Sequence, residues 1–246
     1  MNRRPARRYP PGMRPLSLWR HEVRRAGPAA LLTPPVVALV VVAIAVDSAV
    51  RLHEPAASTA LIVQNLLELA LPLAAGVGAA SLVGRDPAVE LQLTMPTAYR
   101  ATILRRLAAG AGWVAVIGVT VVLGAVTTGW WDRWPGAHTP LAGQLTWLAP
   151  TAFVAGLGLL IGALAGNSAL AVSAVAMMWI FHLAATGPLQ NHQWSRQVYL
   201  FATTRGSPEL DWTANRLTLL AAGAVMTAAA WLLLGRPVRL LTKEPE

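Results

Sequence analysis

The 246-residue sequence contains no cysteine and only one lysine, Lys243. The absence of cysteine excludes disulfides, thiolate metal sites and cysteine nucleophiles. The lysine stands in no glycine-rich turn, so the chain lacks a Walker A loop for binding ATP. Charged residues make up only 13% of the sequence, against about 25% in soluble domains. This shortage of charge predicts a membrane protein.

The residues that are present support the same class. Apolar residues make up 55% of the chain, and the mean hydropathy is +0.50. The net charge of +9 does not indicate a nucleic-acid partner, because the basic residues cluster at the ends of apolar runs. The segment 1–15 is rich in Arg and Pro, and we expect a disordered cytoplasmic tail there. Residues 16–246 then form a single transmembrane domain.

The apolar runs predict an all-α, polytopic protein with six transmembrane helices, since about 20 residues cross the hydrocarbon of a bilayer. No Asp, Glu, Lys or Arg occurs between residues 134 and 195, a stretch that would be about 90 Å long as one helix. It must therefore fold back, and Gly166-Asn167-Ser168 is the natural turn. The predicted spans are 26–46, 61–83, 107–131, 144–164, 169–185 and 217–234.

The distribution of basic residues predicts the orientation of these spans. Fifteen Arg and Lys residues fall on the side that holds both termini, and five fall on the other side. By the positive-inside rule, both termini are cytoplasmic. Residues 16–25 resemble a short interfacial helix on the inner leaflet. The Ala- and Arg-rich composition with one lysine suggests a GC-rich bacterial genome, and we expect a multi-pass protein of the bacterial cell (inner, cytoplasmic) membrane.

A polar loop between the second and third spans, residues 84–106, carries the most specific pattern. Asp86 can cap a helix whose early Glu90 favours the positive end of the helix dipole. Pro96 ends that helix, because proline disfavours helix in the residue before it. The pattern alone fits both a solvated basic loop and a short amphipathic docking helix.

This loop resembles the cytoplasmic coupling loop of type-2 ABC exporter permeases. The matching residues are Asp86, Glu90, Leu91, Leu93 and Pro96. The resemblance implies a permease subunit that binds no cofactor and has no enzymatic activity of its own. ATP and magnesium would be bound by a separate ABC ATPase subunit. A second permease copy or a paralogue would complete a dimer, and short exterior helices between spans five and six would cap the path.

Four residues are candidates for the transport path: Asn65, Glu68, Met178 and His182. A carboxylate at membrane depth costs free energy, so Glu68 is a functional candidate. Glu68 could instead reach outer water or pair with Arg51. His182 could be a protonatable site or a satisfied histidine near the outer interface. A secondary transporter, or an intramembrane enzyme that uses Glu68 and His182, is the alternative function.

Three glycines recur at intervals of four residues, namely Gly158, Gly162 and Gly166. Such a stripe of small residues lets membrane helices approach closely. We expect it to serve helix packing.

Overall fold

The computed structural model describes residues 28–83, 99–134, 140–206 and 212–235, and the regular structure within these ranges is entirely helical. A π-helical turn, Leu66–Ala70, joins α2 to α3, and a single 3-10 turn, Trp131–Arg133, follows α4. The α-helices are α1 (Pro28–Val50), α2 (Ala56–Asn65), α3 (Leu71–Ala80), α4 (Tyr99–Thr127), α5 (Pro140–Ala165), α6 (Ser168–Ala184), α7 (Thr186–Asn191), α8 (Gln193–Gln197) and α9 (Thr213–Leu234).

Five helical segments are long and apolar enough to cross a membrane. They lie in α1, in the continuous helix Ala56–Ala80 formed by α2, the π-helical turn and α3, and in α4, α5 and α9. The prediction of an all-helical, multi-pass membrane protein is therefore confirmed. The fifth predicted span corresponds to α6, which is apolar but has 17 residues. Its length of about 25 Å is shorter than a typical hydrocarbon core, so the count of six spans stays a prediction.

Several predicted features lie outside the described residues. These are the basic tail, the interfacial helix at 16–25, the C-terminal residues after 235, and residues 84–98 of the coupling loop, whose remaining residues 99–106 form the first turns of α4. The loop residues affected are Asp86, Glu90, Leu91, Leu93 and Pro96. Their role and the cytoplasmic position of the termini stay predictions.

The buried core is organised around α3 and α5, which contribute residues to each of the three buried clusters of the described chain. Glycines allow α5 to approach its neighbours closely. A Cβ atom on Gly156 would lie 2.6 Å from the carbonyl oxygen of Gly223 on α9, and one on Gly158 would lie 2.6 Å from that of Gly76 on α3. Such contacts matter in lipid, where apolar burial alone does not drive helices together.

The three glycines of the stripe occupy different environments. Gly158 and Gly162 face α3, where added Cβ atoms would contact Ala80 and Val83. Gly166 instead has a positive φ of 62° and lies in the turn after α5. The side chain of Asn167 then caps α6 by accepting hydrogen bonds from the amides of Ala169 (2.9 Å) and Leu170 (3.2 Å). Gly166 thus follows the end of α5 in the left-handed conformation, and Asn167 caps the start of α6.

Large apolar side chains cover the outside of the bundle. Leu39 on α1 is 71% exposed, Met177 on α6 is 68% exposed, and Val225 on α9 is 67% exposed. So many exposed large apolar side chains are unusual for a soluble monomer. It suits contact with the hydrocarbon of a bilayer.

The close approach of α5 and α9 yields a test of this packing. A Cβ atom on Gly223 would lie 2.6 Å from both the carbonyl carbon and the carbonyl oxygen of Ala152. Because backbone atoms cannot move aside cheaply, we expect Gly223→Ala to destabilise the fold by about 1–3 kcal/mol. Denaturant titration of the purified protein in detergent, followed by tryptophan fluorescence, measures the change.

Gly124→Ala on α4 is the matched control, because a Cβ atom there would meet nothing within 4 Å. It should cause no loss of stability, since alanine favours helix more than glycine does. Equal stability of the two variants would contradict the packing described for α5 and α9.

Candidate functional site

A buried carboxylate lies in the π-helical turn between α2 and α3. The side chain of Glu68 is fully buried. Pro72 has no N–H to offer the carbonyl of Glu68 four residues earlier, and its ring would crowd that carbonyl in a regular helix. Here the amide of Leu71 instead bonds to the carbonyl of Leu66 in the wider π-helical geometry. Such turns often occur at functional sites.

The positive partner of this carboxylate is Arg216 near the N-terminus of α9. The two side chains form an ion pair, and Arg216 is only 3% exposed. The sequence interpretation that Glu68 reaches outer water or pairs with Arg51 is therefore wrong. Arg51 is exposed, and its Nε lies 3.2 Å from Oδ1 of Asp47, four residues earlier in the sequence. The cation that neutralises Glu68 comes from 148 residues away in the sequence.

The ion pair holds a non-helical stretch of chain inside the bundle. We call residues 199–204 the inserted segment. Its members Tyr199, Leu200, Phe201 and Ala202 are at most 1% exposed. Loops are rarely buried, because their backbone N–H and C=O groups then need partners other than water. The inserted segment therefore depends on side chains from the surrounding helices.

Those side chains satisfy the backbone of the inserted segment from two faces. The carboxylate of Glu68 accepts hydrogen bonds from the amides of Thr203 (2.9 Å) and Thr204 (2.6 Å). The amide of Gln64 donates to the carbonyl of Thr203 at 3.0 Å. On the other face, Arg216 donates to the carbonyl of Leu200 at 3.1 Å. The same charged pair thus neutralises itself and replaces water for the loop backbone.

Asn215, next to Arg216, orders the chain that leads into the segment. Its amide nitrogen donates to the carbonyls of Arg196, Gln197 and Tyr199 at 2.8–3.1 Å. The amide oxygen of Asn215 and the Nε of Arg216 have no hydrogen-bond partner among the described residues. The N-terminal end of α9 therefore donates several hydrogen bonds to backbone carbonyls, while two of its buried polar atoms have no partner among the described residues.

His182 contacts the inserted segment from α6. Its Nδ1 accepts a hydrogen bond of 3.4 Å from the amide of Leu200, which assigns the ring proton to Nε2. The imidazole stacks on Tyr199 with ring centroids 6.2 Å apart and planes 9° apart. Burial raises the pKa of the Tyr199 phenol, so its hydroxyl stays protonated and contacts Thr186 Oγ1 at 3.3 Å. These contacts bind α6 to the segment.

The four predicted path residues thus separate into two groups. Glu68 and His182 both bind the inserted segment and therefore belong to one site. Asn65 is half-buried on α2, and Met178 is half-buried on α6 against the core cluster that contains Tyr199 and Phe201. Neither has a hydrogen bond or ion pair to Glu68 or Arg216 among the described contacts.

The most important site residue missed by the sequence interpretation is Arg216. The charge distribution places Arg216 among the five basic residues on the side opposite the termini. A signal was available, because a carboxylate near the outer boundary needs a cation at the same depth. Arg216 stands at the start of the sixth predicted span, which should begin at that boundary. Which of the five cations would fold inward could not be read from the sequence.

A small cleft lies between α1, α3, α4 and α5. Its walls are mostly small or apolar, and the side chain of Arg106 on α4 is the one charged group that lines it among the described residues. The lining residues are Pro34, Ala74, Ala75, Gly78, Ala79, Leu82, Arg106, Leu107, Gly110, Ala111, Val114, Thr151 and Ala155.

The described residues contain no cluster of three or more His, Asp or Glu side chains that could hold a metal ion. The Glu68 carboxylate is already occupied by a guanidinium and two backbone amides. In this arrangement it acts as a fixed charge that organises the loop backbone.

No family model matches the chain, and no curated protein and no solved structure matches it either. The similarity to ABC exporter permeases therefore rests on the sequence pattern of the loop and of the spans.

The buried ion pair gives a direct prediction. Glu68→Gln removes one charge and leaves Arg216 buried and uncompensated, so we expect a loss of about 3–5 kcal/mol in the free energy of unfolding. The double variant Glu68→Gln with Arg216→Gln should lose less than the sum of the two single variants, because it buries no charge. Denaturant titration in detergent measures all three values.

Asp47→Asn serves as the control, because it breaks the exposed pair with Arg51. Its effect should stay within about 1 kcal/mol. Additive losses in the double variant would show that Glu68 and Arg216 do not stabilise each other.

Proposed function

We propose that the chain is the permease subunit of an ATP-driven type-2 ABC exporter in a bacterial cytoplasmic membrane. A separate ABC ATPase subunit binds ATP and magnesium, and a second permease copy or a paralogue completes the membrane dimer. The observation that carries this proposal is the inserted segment held by Glu68 and Arg216. It supplies a closed barrier at one end of the bundle, which a transport subunit needs.

The ends of the bundle differ in the way that alternating access requires. In the proposed orientation, the Glu68–Arg216 pair lies at the outer end of α9. The first residues of α9 contact the inserted segment there. The cleft lined by Arg106 lies in the opposite half, next to the predicted cytoplasmic loop. One end is therefore sealed by polar contacts and the other holds an apolar opening. This asymmetry supports an exporter in its inward-facing form.

The proposed mechanism follows from the strength of the seal. Closure of the ATPase subunits moves the coupling loop around Glu90, and that motion tilts the spans attached to it. Opening the outer end requires the inserted segment to leave the amide-binding carboxylate of Glu68. Because a separated buried pair is costly, the barrier stays closed until ATP binding supplies the energy. The chain itself contributes no catalytic residue to ATP hydrolysis.

The alternative functions use the same residues differently. A secondary transporter or an intramembrane enzyme would need Glu68 or His182 to meet a substrate or an ion directly. Both side chains instead contact backbone amides of the inserted segment. Because both side chains already bind these amides, we favour a sealing role for Glu68 and His182 over direct contact with a substrate or an ion.

Co-purification tests the partner. The tagged chain, purified from its native membrane in mild detergent, should bring down a soluble subunit with a Walker A lysine and ATPase activity. Glu90→Arg should lose that subunit, because it reverses the charge of the proposed docking helix. Glu54→Arg, the same change at an exposed residue in the predicted exterior turn, should retain it. Retention by Glu90→Arg, or recovery of the chain alone, would contradict the coupling role.

Cysteine labelling tests the barrier, since the native chain has no cysteine. Ala202→Cys places a thiol within the inserted segment, where the native side chain is 1% exposed. It should resist a membrane-impermeant maleimide added from outside and become reactive during ATP hydrolysis. Adding Glu68→Gln should make it reactive without ATP, because the seal is weakened.

Trp194→Cys is the matched control, because residue 194 is 88% exposed on α8. It should react equally under all conditions. Labelling of Ala202→Cys that is independent of both ATP and Glu68 would exclude a barrier role for the segment.

A further inference from the structure

We propose that Trp194 anchors the short helices α7 and α8 in the headgroup layer of the bilayer, so that the lipid surface itself is the partner of this part of the chain. The anchor requires only that the bundle lies in a membrane. It requires neither the coupling loop, nor an ATPase, nor an exported compound. Because α8 leads directly into the inserted segment, the anchor also restrains that segment.

Trp194 has the most exposed large apolar side chain of the described residues, at 88%. Trp131 and Trp147, by contrast, are 4% and 3% exposed. A tryptophan ring has a large apolar area that favours leaving water, while its indole N–H needs a hydrogen-bond acceptor. The headgroup layer meets both needs, because hydrocarbon there borders on water and lipid oxygens. The exposure of Trp194 therefore indicates a partner that is apolar on one side and hydrated on the other.

Contacts within the chain hold α8 beside the end of α6. The helix α7 follows α6 directly, and the amide of Leu189 bonds to the carbonyl of Ala185 at 3.0 Å. The helix α8 then folds back onto α7. Ser195 Oγ donates to the carbonyl of Leu189 at 2.9 Å, and Arg196 Nε donates to the carbonyl of Gln190 at 3.2 Å. Both short helices therefore stay close to the level at which α6 ends.

The end of α6 lies at the boundary of the hydrocarbon. Its 17 residues rise about 25 Å, which is less than a typical hydrocarbon core of about 30 Å. Ile180 and Phe181, near this end, are still 53% and 56% exposed. The lipid-facing apolar surface of α6 therefore extends to its end. The next level along the bilayer normal is the headgroup layer, and α8 lies there.

The exposed residues of α8 fall on two faces, because residues four apart share one side of a helix. Trp194 and Val198, the residue after α8, are apolar and exposed. Gln193 and Gln197 on the other face are polar. An apolar face beside a polar one suits a helix that lies at a membrane interface. Tyr199, the first residue of the inserted segment, follows Val198 directly, so the anchored face ends where the buried loop begins.

Fluorescence quenching in phosphatidylcholine vesicles measures the depth of residue 194. The native chain has no cysteine, so Trp194→Cys carries a single bimane label, and the hydrated headgroup layer leaves this thiol open to a maleimide. Lipids with a nitroxide near the headgroup should quench the label more strongly than lipids with a nitroxide near the chain end. Val225→Cys, 67% exposed in the middle of α9, should show the opposite order. Gln193→Cys should be quenched more by iodide in the water than Trp194→Cys.

Three results would overturn the anchor. Quenching of residue 194 by iodide and by neither lipid would place α8 in water. Weak quenching by iodide and by both lipids would show that protein, such as a second copy of the chain, covers the tryptophan. Stronger quenching by the deep nitroxide would place α8 in the hydrocarbon.

A second measurement tests the restraint on the inserted segment. In the Ala202→Cys chain in vesicles, Trp194→Gln should raise the rate of labelling by a membrane-impermeant maleimide about fivefold, because the apolar ring area that leaves water is lost. Trp194→Tyr keeps an amphipathic ring and should leave the rate near that of the parent. Leu52→Gln, the same change at a 66% exposed residue in the turn after α1, is the matched control and should leave it unchanged.

Equal labelling rates for Trp194→Gln and Leu52→Gln would overturn the restraint. None of these measurements involves an ATPase subunit. A failed co-purification would therefore leave the anchor intact, and loss of the anchor would leave the exporter proposal intact.

Discussion

The described structure depends on one electrostatic constraint, the full burial of the Glu68 carboxylate. A charge in a low-dielectric interior is stable only with a partner and with enough hydrogen bonds. Arg216 supplies the partner, and the amides of Thr203 and Thr204 supply the hydrogen bonds. The second span, the last span and the inserted segment are therefore fixed to one another at a single point. Without that point, the amides of Thr203 and Thr204 and the carbonyl of Leu200 would lose the partners that replace water.

The remainder of the bundle is held by a different interaction. Lipid competes with side chains for apolar contact, so helices in a membrane gain from close backbone approach. Gly156 and Gly158 on α5 provide it against α9 and α3. The combination gives a tightly packed centre, a polar seal at one end and a loosely filled cleft at the other. In the proposed exporter, this division keeps one end shut while the other admits the substrate.

The helix α3 connects these two regions physically. It begins directly after the π-helical turn that carries Glu68, and residues along it form one wall of the cleft. A helix moves largely as a rigid body, so a motion of α3 that releases Glu68 from the inserted segment also shifts Gly78 within the cleft. The cleft and the barrier are for this reason mechanically related in the proposed exporter. Tight filling of the cleft would favour one position of α3.

Composition and hydropathy predict the membrane class, the helical fold and the approximate limits of the five long spans, because hydropathy depends only on local composition and length. The sequence also singled out Glu68 and His182, since polar groups are rare in apolar runs. It predicted the wrong environment for Glu68, whose ion-pair partner lies 148 residues away. Three features depend on the tertiary structure: the pairing with Arg216, the insertion of residues 199–204 and the space beside Gly78. Each arises from how separate helices approach one another, which no local pattern of residues encodes.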